Sequence, residues 1–132
     1  MSTQLEQNKA LVRRMYDEIW NKRQIAAIST FYAPAEVEGT TAFTNEYFAA
    51  FADWEFGVEE IMAEGDQVML HWHALATHHG EYLGIPATGR RVTFEGMAML
   101  RIADGKIIDD PGYFDMLTIQ RQLNGEGSAA LP

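Results

Sequence analysis

With no cysteine in its 132 residues, the chain offers chemistry mainly through carboxylates, phenols and histidines. A thiolate nucleophile, a thiolate metal site and a disulfide framework are excluded. Asp115 is the foremost candidate. It follows Tyr113 and Phe114 and precedes Met116 and Leu117, so it stands in an apolar stretch. Desolvation there raises a carboxyl well above its usual pKa of about 3.9. A carboxyl poised near neutrality can exchange protons with a substrate. The competing role is a helix cap or an arginine partner.

Asp110 is the second candidate acid. Asp109 and Asp110 point to opposite sides of a strand, so only one of them can face a pocket. Two neighbouring acids push one pKa upward, although a double Asp before Pro111-Gly112 also suits a solvated turn. Tyr16 stands near Trp20 on the apolar side of the first predicted helix. In a pocket, its hydroxyl can hydrogen-bond a substrate carbonyl as an enolate develops. In a core, it would instead reach a backbone group or solvent.

The histidines do not make a metal site. His71 and His73 share a strand face and His78 and His79 follow closely, but no carboxylate pattern completes three ligands and an open position. There is no G-x-S-x-G elbow, phosphate-binding glycine loop or dinucleotide fingerprint. The expectation is catalysis or binding without metal or cofactor.

These residues need a frame. The length fits one domain, placed at residues 1–124, with a small polar tail at 125–132. Leu11, Val12, Met15, Tyr16, Ile19 and Trp20 form one apolar stripe, predicting a helix over about residues 3–21. A short helix with Ile25, Ile28 and Phe31 or Tyr32 inward is expected to end at Pro34. A third helical piece is expected over about residues 44–51. Strands are predicted at 54–62, 67–77 and 91–102, and from Lys106 onward. In the second strand Val68, Leu70, Trp72, Ala74 and Ala76 take one face, leaving Met69, His71, His73 and Leu75 on the other. Helices followed by antiparallel strands predict an α+β fold.

Ten Lys plus Arg against nineteen Asp plus Glu give a net charge of −9, which argues against nucleic acid or an anionic membrane as partner. The polar start from Met1 to Lys9 has no signal-like apolar stretch, so a cytoplasmic protein is expected.

Four stretches carry a resemblance. They are Asn8-Lys9-Ala10-Leu11-Val12-Arg13-Arg14-Met15-Tyr16 with Ile19-Trp20-Asn21; Phe31-Tyr32-Ala33-Pro34; Thr77-His78-His79-Gly80-Glu81-Tyr82-Leu83-Gly84-Ile85-Pro86-Ala87-Thr88-Gly89-Arg90; and Arg101-Ile102-Ala103-Asp104-Gly105-Lys106-Ile107. Together they resemble the SnoaL-like polyketide cyclase (ester cyclase) family of the nuclear-transport-factor-2-like superfamily. The resemblance implies a cone in which helices cover a strongly bent antiparallel sheet around an apolar pocket. It implies dimers formed through the outer sheet face, and ring closure by an intramolecular aldol reaction, using an acidic residue and no cofactor.

Asp115 matches the family's terminal Asp, and His78 is the histidine of the family-like loop. His78 could approach the pocket mouth or simply fix the loop. The chain departs from the pattern at Glu38-Gly39, where the family often has Asp-His, and at Asp110-Pro111, where it often has His-Trp. The predicted site therefore comprises Asp115 as acid/base, Tyr16 as donor, and Asp110 and His78 as further candidates. Trp20, Phe48, Met97, Met99 and Phe114 are expected as pocket wall, around a small apolar carbonyl-containing molecule. The alternatives are a non-catalytic binding or accessory domain, or a hydrolase or dehydratase in the same cone.

Overall fold

The computed structural model describes residues 3–126. Most of the expected tail, from residue 127 onward, lies outside the described residues. Helix α1 (Gln4–Tyr16) starts at a reciprocal cap: the Thr3 hydroxyl accepts from the Glu6 N–H, and the Glu6 carboxylate accepts from the Thr3 N–H. Its apolar stripe buries Val12, Met15 and Tyr16. The helix then widens into a π turn over Asp17–Asn21, closed by Lys22 N–H donating to the Asp17 carbonyl at 3.0 Å. A 3-10 turn (Ile25–Ala27) and the short α2 (Ile28–Phe31) follow.

Pro34 opens a helix instead of ending one. Helix α3 runs Pro34–Ala50, so it begins about ten residues before the expected start. Proline suits the first helical position, where the missing N–H would have no partner in any case. The Ala33 N–H just before it donates to the Ile107 carbonyl at 2.9 Å, tying the start of α3 to the sheet.

Strands β1 (Phe51–Glu64), β2 (Gln67–His78), β3 (Arg91–Ala103) and β4 (Lys106–Asp109) form an antiparallel sheet in that order. Strand β5 (Gly112–Phe114) also pairs with β3, at Gly96 to Ala98. The last predicted strand is thus broken in two. Helix α4 (Met116–Leu123) closes the chain. It is pinned by the buried Gln122, whose amide accepts from the Thr93 N–H and donates to the Thr93 carbonyl, both at 2.9 Å.

The inner sheet face supplies Val68, Leu70, Phe94, Ala98 and Leu100, packed against Val12, Met15, Ile19, Ile28 and Phe31 of the helices and against neighbouring rings. The alternation read in β2 is observed. In β3 the same period-two rule turns Phe94, Ala98 and Leu100 inward and leaves Met97 and Met99 on the outer face, 50% and 39% exposed. These two methionines are therefore not cavity wall, contrary to expectation.

One irregularity decides which acid faces inward. Ile102 pairs with Ile107, but Arg101 pairs with Asp109, so β4 carries an extra residue at Ile108. Paired residues share a face, and Arg101 points outward. Asp109 is thus turned outward with it, and the next residue, Asp110, falls on the inner side.

Candidate active site

A cavity of about 450 Å³ lies between the helices and the inner sheet face. Its aromatic wall is built around Trp20, which the π turn presents edge-on to Phe48 and Trp54, at ring distances of 5.2 and 5.0 Å. Tyr16 stacks on Phe56 at 4.4 Å, and Phe56 stacks on Trp72 at 5.0 Å. Asn21, also in the π turn, fixes this row. Its side-chain amide donates to the Phe56 carbonyl at 3.0 Å and accepts from the Phe56 N–H at 2.6 Å. Glu36, Thr40 and Thr44 of α3 line the cavity on one side, and Asp110 to Phe114 also contribute to the wall.

Asp110 is the carboxyl of this cavity that is held by a phenol. The Tyr32 hydroxyl donates to its Oδ2 at 2.7 Å. Asp110 as a whole is exposed, on a cavity that is itself open to solvent, while its carboxyl is held against Tyr32 at the cavity wall. Burial pushes its pKa up to about 6; the Tyr32 bond pulls downward, while the negative charges of Asp109 and Glu36 add to the rise. Tyr32 and Tyr16 are held well above the usual tyrosine range, first by burial and then by Asp110. Both phenols therefore stay protonated as hydrogen-bond donors. The site pairs a near-neutral acid with two phenols in an aromatic chamber, an arrangement suited to moving a proton and stabilising an oxyanion.

The remaining expected residues lie as follows. Tyr16, Trp20 and Phe114 line the cavity. Asp115 does not: it is exposed and caps α4, its Oδ1 accepting from the Thr118 N–H at 3.0 Å and its Oδ2 from the Thr118 hydroxyl at 2.6 Å. These bonds hold its pKa below the usual value, the reverse of the expected shift. The apolar sequence neighbours cannot desolvate it because Tyr113, Met116 and Leu117 are themselves exposed.

Phe48 is behind the wall, in contact with Trp20 and under the Arg23 guanidinium. His78 is fully buried outside the cavity wall. Its Nδ1 accepts from the Thr88 N–H at 3.1 Å and lies 3.0 Å from the Thr88 hydroxyl, so it pins the loop between β2 and β3. Burial lowers its pKa. Tyr32 was legible only as an inward-facing residue. The signal for its role was that a buried tyrosine needs a partner for its hydroxyl.

Among the described residues no group of His, Asp and Glu is arranged to hold a metal ion, and no helix is long and apolar enough to cross a membrane. Helices covering a curved antiparallel sheet, with an aromatic chamber between them, define a cone-shaped α+β protein with an acid on the chamber wall. Residues 10–123 match the SnoaL-like polyketide cyclase family, and the chain belongs to it.

Over 93% of its length the chain is 35% identical to an aklanonic acid methyl ester cyclase of Streptomyces peucetius, covering 92% of that protein. It is 34% identical to the enzyme of the same name from Streptomyces sp. strain C5, over 93% of the chain and 83% of that protein. Among solved structures, a candidate hydroxylase from Streptomyces galilaeus superposes with a TM-score of 0.83 at 27% identity, covering 97% of this chain and 86% of that one. A SnoaL-like polyketide cyclase fold from Jannaschia sp. CCS1 gives a TM-score of 0.85 at 23% identity, over 96% of this chain and 98% of that one.

Proposed function

We propose that the protein closes a ring in a polyketide methyl ester by an intramolecular aldol reaction, with Asp110 as the acid/base. The Asp110 carboxylate takes a proton from a carbon next to a carbonyl, leaving an enolate. The enolate carbon attacks a second carbonyl of the same molecule, forming the carbon–carbon bond. Protonated Asp110 then returns the proton to the resulting alkoxide, so the enzyme is unchanged. Tyr16, whose hydroxyl has no hydrogen bond to another described side chain, is placed to donate to the enolate oxygen. Tyr32 orients Asp110.

The observation that carries this reading is the Asp110 carboxyl on an aromatic cavity, held by Tyr32 and raised to about 6. A neutral ester suits the chamber. Glu36 and Asp110 contribute carboxyls to its wall, whereas no lysine, arginine or histidine among the described residues does, so a free carboxylate would meet only like charge.

The test is Asp110→Asn assayed on aklanonic acid methyl ester. Turnover falls by roughly 10²–10⁴ while affinity is kept, the scale usual for a lost general acid/base. Undiminished turnover in that variant sinks the assignment. The same reading makes the protein a homodimer through the outer sheet face, where Met62, Met69, Met97 and Met99 stand exposed.

A further inference from the structure

We propose that Gly39 is a specificity-determining residue: its missing side chain leaves room for the larger part of a bound ester. This rests on the reading of the cavity as the ester site. On α3, Glu36, Thr40, Phe43, Thr44 and Tyr47 line the cavity at helical spacing, and Gly39 belongs to the same lining stripe. A Cβ built on Gly39 meets nothing within 4 Å.

Neither usual reason for glycine applies at this position. Gly39 is in the helix interior without a positive φ, and no neighbour presses on it. Gly96, by contrast, would place a Cβ 2.5 Å from the Trp72 ring and from the Tyr113 carbonyl oxygen. Glycine inside a helix is unfavourable relative to alanine because it loses more backbone freedom on folding. The sequence therefore keeps a helix-weakening residue where the structure has only open space. Gly39 is itself exposed and, with Phe43, lines the chamber. A side chain at position 39 would fill that space and shorten the ligand that fits, with no change to Asp110 or Tyr32.

Two esters of different size test this, methyl benzoate and methyl anthraquinone-2-carboxylate, followed by quenching of Trp20, Trp54 and Trp72 on the cavity wall. Gly39→Leu should weaken the anthraquinone ester roughly tenfold or more and the benzoate less than about twofold. Gly39→Ala should raise the thermal midpoint by about 2–5 °C, as expected for a glycine replaced in a compatible helix. Unchanged affinity of Gly39→Leu for the large ester overturns the proposal. So does an equal loss for both esters, or a lowered midpoint in Gly39→Ala. Failure of the wild type to bind either ester overturns both this proposal and the reading of the cavity. Binding as expected with undiminished turnover in Asp110→Asn removes only the catalytic assignment.

Discussion

A carboxyl's chemistry depends on what surrounds it in space, and Asp110 and Asp115 show the two outcomes. Both residues are exposed, but Asp110 lines the aromatic cavity and accepts from Tyr32, while Asp115 lies outside it and caps α4. Sequence names both acids and puts Asp115 first, because the apolar neighbours of Asp115 read as burying it and the sequence does not show that they are exposed. Asp115→Ala should lower stability by about 1 kcal/mol through loss of the cap, with kcat unchanged. A fall in kcat comparable to that of Asp110→Asn would return the acid/base role to Asp115.

Asp110 also makes a pH prediction. Its folded pKa, about 6, lies above the ordinary value of 3.8, so between these values the native state holds more proton than the unfolded state. Its effect on stability is thus favourable at low pH and is lost as pH rises through about 6. Chemical denaturation should find Asp110→Asn more stable than wild type at pH 7.5, with the gain gone by pH 4. Tyr32→Phe removes the bond that lowers the Asp110 pKa, so the acidic limb of the rate–pH profile, below which the carboxylate base is lost, should move upward. An unmoved limb would show that Tyr32 does not set the ionisation of the group controlling the rate.

At the scale of elements, the apolar periodicities were legible where they were long. The stripe of α1 and the alternation of β2 came through because each repeats over several turns or pleats. Two local features did not. Pro34 reads as a stop, but the chain is extended at Ala33 and helical from Pro34 onward, so the proline is a start. The extra residue at Ile108 leaves no mark in composition, yet it exchanges Asp109 for Asp110 on the inner face.

Helix α4 gives the prediction at this scale. Gln122→Ala leaves the buried N–H and carbonyl of Thr93 without that side-chain partner, which should cost about 2–3 kcal/mol in denaturant unfolding. A loss below about 0.5 kcal/mol would mean that solvent replaces the glutamine there.

At the scale of the whole molecule the two faces of the sheet differ. The inner face builds the core and chamber. The outer face lines up Met62 with Met69 and Met69 with Met99 across three strands, beside His71 on Glu95 and His73 on Glu59. Sequence showed that this face was apolar in β2, but placing Met97 and Met99 on it required the register of β3. Sedimentation should give twice the chain mass at micromolar concentration, and the double variant Met69→Glu, Met99→Glu should sediment as a monomer. A wild-type monomer would leave this face without the proposed role.

The π turn at Asp17–Asn21 has a consequence for how this chain can change over time. A π turn holds one more residue than the α turn it replaces, and each helical residue advances the chain by about 100°. Deleting a single residue there would restore an ordinary helix, but it would swing Trp20 and Asn21 out of phase with α1. The indole would leave the chamber, and the amide would release the Phe56 backbone. An insertion that looks dispensable when two sequences are laid side by side is therefore what aims one wall of the chamber.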